Sequence, residues 1–293
     1  MGFESCHPAV LFIYFAFVLF CTVSFDRPIF LAISFVSAFV YSIKRNGVRA
    51  LIFNILLLPC VLVFALYYSS YTHFGVTVLR QNFIGNNMTL ESLLYGLVLG
   101  CTVSSVLMWF SCIHSMFTTD KVVYLFGRVS PRLSLFLSIL LRMLPRLKAE
   151  AGRINAAQRG IGCGTDQGSV FHRLKNVVRI FSMLITWMID SFAHASDSMQ
   201  CRGSALRGRT AFSIYRFDNR DRAYVIAMFC CITLALMAML LGQTHMIYDP
   251  RLIVTPLTGV SVVFCIGYFL MCMMPMMLDI LTEYRFFRAR KAI

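Results

Sequence analysis

Hydrophobic residues fall into long runs along the chain, and short polar segments separate most of these runs. A helix needs ~20 mostly apolar residues to cross a bilayer. Six runs reach or approach this length, at about residues 8–25, 29–43, 50–71, 92–117, 223–241 and 253–278. The pattern predicts an all-α polytopic membrane protein with about six transmembrane helices.

The composition supports this class and excludes several others. The chain is 58% hydrophobic and 14% charged, with a mean hydropathy of +0.73. Soluble domains are nearer ~45–50% apolar and ~25% charged, and disordered chains are poor in apolar residues. The 11 cysteines are an odd number, and most lie inside apolar runs. A soluble domain, a disordered chain and a disulfide scaffold are therefore all excluded.

The positive charges predict how the spans are oriented. The net charge is +14, and segment 118–222 holds 17 of the 27 basic residues and 7 of the 13 acidic ones. Basic loops stay on the cytoplasmic side of a membrane. This rule places segment 118–222, the loop after the second span and the tail at 285–291 inside, with both termini cytoplasmic. The residues before the first run include Glu4 and no Lys or Arg, so we expect that run to be retained rather than cleaved as a signal peptide.

Segment 118–222 contains two further apolar stretches. Residues 133–144 are too short to span, and residues 176–195 carry Arg179, Asp190 and His194. Charge at the centre of a span is costly, so both stretches are interpreted as amphipathic helices at the inner face. Two additional spans would leave the orientation of the other segments unchanged, and this alternative stays open. The predicted regions are 1–117 with four spans, 118–222, and 223–293 with two spans and a basic tail.

Two helices in this segment are predicted to end in the same dipeptide. A helical pattern over about 140–158 stops at a glycine-rich run, and a second over about 177–200 stops before a run of Ser, Gly and Arg. Arg complements the negative end of the helix dipole, and Gly favours a left-handed cap. One such ending needs no functional explanation, but two on a basic segment indicate a pair of contacts for an acidic or carbonyl-lined groove. The residues concerned are Ala157, Gln158, Arg159 and Gly160, then Cys201, Arg202 and Gly203.

These endings resemble the paired Ala-Arg-Gly signatures of the T component of energy-coupling factor transporters. This component is the membrane scaffold subunit of those ABC importers and is grouped with the cobalt-transport permease family. The resemblance covers about residues 128–222 in detail, including the sequence Leu-Arg-Met-Leu-Pro at 141–145. The chain departs from the family at Gln158 and Cys201, where the family usually has Ala.

The resemblance implies a role and a set of partners. The two helices would be a cytoplasmic pair of long amphipathic coupling helices, and Arg159 and Arg202 would contact two cytoplasmic ATPase subunits. Nucleotide-driven motion would reach a substrate-binding membrane S component that takes up a vitamin, a vitamin precursor or a metal ion. The chain would not be an enzyme, and it would lie in the cytoplasmic membrane of a bacterium or archaeon.

Other chemistry finds little support in the sequence. No Walker A motif is present, and the six His residues lack the spacing of metal ligands. We therefore expect no catalytic residue, cofactor or metal site in the chain. Attraction to the lipid bilayer and orientation explain the basic segment better than nucleic acid does. An integral membrane enzyme acting on lipid or isoprenoid substrates is the main alternative, and a self-contained secondary carrier is another.

A stripe of small residues marks the fourth span. Gly96, Gly100 and Ser104 recur at intervals of four residues, on one face of a helix. Small residues let membrane helices approach closely. The stripe is predicted to be either an internal packing face or a contact face for the S component.

Overall fold

The computed structural model describes residues 2–72, 74–81, 87–203, 206, 215, 217–249, 252–253, 256 and 258–291. A short 3-10 helix, Phe3–Ser5, precedes the α-helices. The helices within these residues are α1 Pro8–Ser24, α2 Pro28–Asn46, α3 Val48–Tyr71, α4 Leu90–Met116, α5 Thr119–Val129, α6 Pro131–Gly160, α7 Val170–Cys201, α8 Asn219–Leu240 and α9 Gly259–Lys291. Strands β1 Val78–Gln81 and β2 Asn87–Thr89 form one antiparallel hairpin between α3 and α4.

The predicted class of all-α polytopic membrane protein is confirmed. Among the described residues, six helices are long and apolar enough to cross a membrane: α2, α3, α4, α7, α8 and α9. Helix α1 is apolar but has only 17 residues. Helix α7, which the sequence indicated to be amphipathic, meets the criterion by length and composition. Both interpretations of α7, as a surface helix and as a span, therefore stay compatible with its sequence.

Several predicted boundaries are wrong. The apolar stretch at 133–144 and the helix predicted over about 140–158 are parts of one continuous 30-residue helix, α6, which contains Pro145 in its interior. Helix α7 begins at Val170, about seven residues before the predicted start. Helix α9 begins at Gly259 rather than near Ile253, because Ile253 forms an isolated bridge with Ile247. The predicted basic tail is the last part of α9, and its cations suit the negative end of the helix dipole.

The chain divides into two units, residues 1–118 with 215–293, and residues 119–214. In the first unit, α2 packs against α3, α4 and α9. The core is rich in buried aromatic side chains, among them Tyr14, Trp109 and Tyr268. Trp109 Nε1 donates to Ser34 Oγ at 3.1 Å, and Ser34 Oγ lies 2.8 Å from Thr22 Oγ1. Polar groups at membrane depth need internal partners, and these side chains supply them for one another.

The second unit contains α5, α6 and α7, with α6 in contact with both of the others. The Arg146 guanidinium lies over the Trp187 ring, 5.5 Å from its centroid, and links α6 to α7. Among the described side chains of α6 and α7, only Met143, Asn176 and Ile180 are buried. Two helices of 30 and 32 residues thus leave most of their surface uncovered in this unit.

Candidate functional site

Helix α6 ends as the sequence predicted, at Gly160, but its cap is formed differently. The Cys163 amide donates to the Gln158 carbonyl at 2.9 Å, and the Gly162 amide donates to the Arg159 carbonyl at 3.1 Å. Gly162 has φ +80, whereas Gly160 is the last helical residue. The first left-handed glycine of the run after Arg159 is therefore Gly162 rather than Gly160, because the chain reverses direction two residues after the helix ends.

Arg159 forms an ion pair with Asp166, which lies in the loop after α6. Arg159 Nε donates to Asp166 Oδ1 at 2.9 Å, and the two side chains are 53% and 58% exposed. The pKa of Asp166 is lowered, first by a hydrogen bond from its own backbone amide and then by Arg159. The two terminal guanidinium nitrogens of Arg159 have no partner among the described residues. Arg159 is therefore accessible, and one of its three nitrogens is already bound.

The α6–α7 loop, residues 161–169, is fixed to both helices. Asn176 of α7 is buried, and its Nδ2 donates to the Gly164 carbonyl at 3.0 Å. The Thr165 amide donates to Asn155 Oδ1 of α6 at 3.2 Å. Gln167 Oε1 accepts from the Gly164 amide at 3.0 Å. These bonds hold the segment that carries Asp166 close to the end of α6.

Arg202 terminates α7 in a simpler way. The Gly203 amide donates to the Gln200 carbonyl at 2.9 Å, and Gly203 has φ +76, as predicted for a glycine cap. The Leu206 amide then donates to the Gly203 carbonyl at 3.1 Å. Arg202 is exposed, and its guanidinium forms no hydrogen bond or ion pair with the part of the chain that the structure describes.

The two arginines lie at opposite ends of α7. Arg159 contacts Asp166, four residues before the first residue of α7, and Arg202 comes directly after the last residue. A straight helix rises ~1.5 Å per residue, so the 32 residues of α7 extend up to about 48 Å. The arrangement offers two separate exposed cations, too far apart for one small anion or one narrow groove.

The neighbours of the two arginines differ in their surroundings. Ala157 and Cys201 are exposed, whereas Gln158 is half-buried. Gln158 Nε2 lies 3.8 Å from Met183 Sδ of α7. A glutamine at this position therefore makes a contact between α6 and α7 that an alanine would lack.

The small residues of α4 lie against α3. A Cβ at Gly96 would meet the Ala65 carbonyl oxygen at 3.0 Å, and a Cβ at Gly100 would meet Val61 Cγ1 at 3.2 Å. Ser104 is buried as well. The close approach of α3 gives Gly96 and Gly100 a packing role within the bundle. A contact of this stripe with an S component stays a prediction.

Sequence reasoning missed the side chains that surround Arg159. Asp166 was not singled out, although an acid seven residues after Arg159 in a glycine-rich segment was a usable signal, and Gly164 and Asn176 were not connected with Arg159. No group of three or more His, Cys, Asp or Glu side chains that could hold a metal ion lies in the described residues. The site consists of two arginine cations, the Asp166 carboxylate, backbone groups and side-chain amides.

The long apolar helices define a multi-pass membrane protein, and comparison with known proteins shows which family it resembles. The chain is 33% identical over 90 residues to energy-coupling factor transporter transmembrane protein EcfT 1 of Listeria monocytogenes, covering 30% of this chain and 34% of that protein. It is 31% identical over 124 residues to the EcfT of Clostridium kluyveri, covering 41% and 44%. It is 34% identical over 93 residues to the EcfT of Lacticaseibacillus paracasei, covering 30% and 34%.

These matches support the assignment of the chain to the EcfT family of transmembrane proteins. No protein-family model matches the chain. The chain aligns with about a third to under a half of the length of these relatives. The resemblance seen in the sequence is therefore confirmed at the level of the family.

Proposed function

We propose that the chain is the membrane scaffold of an energy-coupling factor importer and links ATP hydrolysis by two cytoplasmic ATPase subunits to a substrate-binding S component. The cargo would be a vitamin, a vitamin precursor or a metal ion. The chain itself would catalyse no reaction. Arg159 and Arg202, with the residues beside them, would be the two contacts with the ATPases.

The placement of the two arginines carries this proposal. Each guanidinium is exposed, and the two lie at opposite ends of α7, up to about 48 Å apart for its 32 residues. A single globular partner would have to be large and suitably curved to contact both. Two copies or homologues of one subunit need no such size or curvature, because each copy can bind one of the two similar helix ends in its own groove.

The exposure of α6 and α7 supports a partner of substantial area. Leu144 of α6 and Val170, Phe171 and Phe181 of α7 are each more than half exposed. Stable interfaces between proteins have an apolar centre and a polar rim, with Arg and aromatic residues enriched. Apolar faces that end in an exposed arginine have this composition.

The charge pattern supports a location. We place the protein in the cytoplasmic membrane of a bacterium or archaeon, with both termini and segment 118–222 on the cytoplasmic side. The excess of basic residues in that segment and at the end of α9 supports this orientation. It puts both arginines on the side where ATP and the ATPases are.

The experiment is co-expression of the full chain with the two energy-coupling ATPase subunits of its own organism, followed by purification through a tag on this chain. Arg159→Ala and Arg202→Ala are each expected to lower the ATPase yield, and the double variant is expected to lose both ATPases and substrate uptake. Arg153→Ala is the matched control, because Arg153 is an exposed arginine of the same helix that pairs with Glu150 of that helix.

The outcomes separate the proposal from its alternatives. Membrane insertion of the double variant should be normal and its thermal stability close to that of the unmodified chain, since both side chains are exposed and an exposed ion pair contributes at most about 1 kcal/mol. Normal uptake by the double variant would refute the proposal. Turnover of a lipid or isoprenoid substrate by the purified chain alone would favour the membrane enzyme.

A further inference from the structure

The Arg159–Asp166 contact uses only part of each side chain. Asp166 Oδ1 accepts from Nε of Arg159, and the two terminal nitrogens bind nothing in the described residues. Arg presents several donors in a fixed plane, and a partner that binds Arg through its outer edge uses those terminal nitrogens. The internal contact therefore leaves the donors that such a partner needs.

The loop that carries Asp166 is constrained. Gln167 Nε2 donates to the Arg159 carbonyl at 3.4 Å, and the buried Asn176 binds the Gly164 carbonyl. Arg173 also faces this loop, with its Nε donating to the Gly168 carbonyl at 3.0 Å. Asp166 is thus presented to Arg159 by a segment bonded to α6 and α7.

A second contact, with Gly164, also restricts the position of the Arg159 side chain. A Cβ at Gly164 would collide with Cγ of Arg159, so the aliphatic stem of Arg159 lies directly on the backbone at Gly164. The position of Arg159 is therefore defined at its stem by Gly164 and at its Nε by Asp166.

We propose that Asp166 is a positioning residue that holds the Arg159 guanidinium ready for an acidic or carbonyl-lined ATPase groove. The inference rests on the proposed docking role of Arg159. Arg202 has no corresponding acid among the described residues. The side chain of Arg159 is therefore more ordered before docking than that of Arg202. A side chain that is already ordered loses less freedom when it binds.

The first experiment measures the affinity of the full chain, in lipid nanodiscs, for the two ATPase subunits of its own organism. Asp166→Ala is expected to weaken binding by about two- to tenfold, as the ordering of one long side chain implies. Asp166→Asn keeps an acceptor for Nε and should recover part of the loss. Asp190→Ala is the control, since it removes an exposed acid of α7 that has no contact with Arg159 among the described residues.

A double-mutant cycle tests whether Asp166 acts through Arg159. In an Arg159→Ala background, Asp166→Ala should have no further effect, because there is no guanidinium left to position. In an Arg202→Ala background, Asp166→Ala should have its full effect. Equal additional losses in both backgrounds would overturn the inference, and so would unchanged or tighter binding by Asp166→Ala alone.

A second measurement uses the chain without the ATPases. In chain labelled with ¹⁵N at arginine, the Nε–H of Arg159 should exchange with water more slowly than that of Arg202. Asp166→Ala should remove the difference, and Asp190→Ala should leave it. Equal exchange in the unmodified chain would overturn the positioning role.

The two measurements separate the failure of this inference from the failure of the proposed function. Slow exchange at Arg159 combined with normal ATPase binding by Arg159→Ala would refute the docking role, and with it any effect of Asp166 on docking. Weak binding by Arg159→Ala together with an unaffected Asp166→Ala would leave the proposed function standing and refute only the positioning role.

Discussion

The C-terminal ends of α6 and α7 share the dipeptide Arg-Gly but lead into different local structures. After α6 the chain forms a short loop in which Asp166 pairs with Arg159. The chain enters α7 ten residues after the end of α6. After α7, Gly203 turns the chain and the described residues bring no acid to Arg202. One arginine is held by its own chain, and the other is left exposed at the end of a helix.

This difference shows that a repeated motif can be built in two ways. The α6 end is constrained from three directions, by Asp166, by Gly164 and by the buried amide of Asn176. Within the described residues, the α7 end is capped by backbone hydrogen bonds of Gly203. We therefore expect the two ends to respond differently to the same substitution, although both would dock on similar partners.

The largest expected difference comes from replacing each arginine by lysine. Lysine keeps the charge but has one nitrogen, so at position 159 it cannot bind Asp166 and a partner in the same geometry. We expect Arg159→Lys to weaken ATPase binding by about ten- to a hundredfold, the range for losing a hydrogen bond to a charged group. Arg202→Lys, which loses no internal bond seen in the described residues, should cost about three- to tenfold. Titration of the ATPases against each variant in nanodiscs measures both.

Equal losses at the two positions would contradict the comparison, because they would mean that the internal bond of Arg159 has no bearing on docking. Arg153→Lys serves as the control and should bind normally. Its exposed guanidinium pairs with Glu150, within α6.

The next effect concerns the α6–α7 loop itself. Asn176→Ala removes the buried donor to the Gly164 carbonyl, and a buried group left without its partner costs about 1–3 kcal/mol. We expect the free energy of opening the loop to fall by that amount. Hydrogen exchange of the backbone amides at 163–165, detected by mass spectrometry, measures the change.

Peptides at the end of α7 should be unaffected by Asn176→Ala. Asn155→Ala is the matched comparison, and its effect should be smaller because Asn155 is only half-buried. Unchanged exchange in the Asn176 variant would show that the loop is held by its other contacts.

The two glycines of the motifs are expected to differ as well. Gly203 has φ +76, a conformation that costs an L-residue roughly 1–2 kcal/mol, so Gly203→Ala should destabilise the end of α7 by about that much. Gly160 is helical with nothing within 4 Å of an added Cβ, so Gly160→Ala should leave α6 intact or stabilise it by up to about 1 kcal/mol. Local hydrogen exchange measures both changes.

The Gly160 variant has a second use. Because the chain itself tolerates a methyl group there, weaker ATPase binding by Gly160→Ala would locate a close approach of the partner at this residue. Destabilisation of the isolated chain by Gly160→Ala would contradict the structure of the α6 end.

The sequence predicted the features that depend on local pattern. Run length located five of the six described helices that are long and apolar enough to span, since a bilayer demands roughly 17–25 apolar residues. The predicted first span is the 17-residue α1, and the sixth such helix is α7, which was interpreted as a surface helix. The positions where α6 and α7 end could be located from glycine, which stops helices through its own backbone. The apolar stretch at 133–144 and the helical pattern over about 140–158 were treated separately, but both belong to α6, because an otherwise favourable helix can continue past Pro145. Four glycines lie within 160–168, and the sequence did not indicate which of them would take the left-handed conformation.

The spacing of Asp166 from Arg159 could suggest a contact between them, but it could not establish one, because the contact depends on the path of a loop. The loop that brings Asp166 to Arg159 is bonded at the Gly164 carbonyl to Asn176, which lies ten residues beyond Asp166. The partner of the small-residue stripe was equally undetermined. Gly96 and Gly100 indicated a close approach, but only the packing of α3 against α4 shows which helix makes it. Non-local contacts of this kind carry no periodic signal.

The smallest expected effect is that of pH on the Arg159–Asp166 pair. Asp166 has a pKa below its ordinary value of 3.8, held down by its own backbone amide and by Arg159, with Arg173 acting in the same direction. For an acid with a lowered pKa, the contribution of the ion pair is complete above the ordinary pKa and is lost as the pH falls through the lowered one. Between about pH 6 and pH 8 the relative protection of the Arg159 Nε–H over that of Arg202 should therefore stay constant, and it should be lost only below about pH 4.

Measuring both arginine signals on ¹⁵N-labelled chain, at each pH and in Asp166→Asn as the uncharged reference, checks this. Loss of the protection near pH 6 would mean that a different group controls Arg159, and the ion pair would then not be what distinguishes the α6 end from the α7 end.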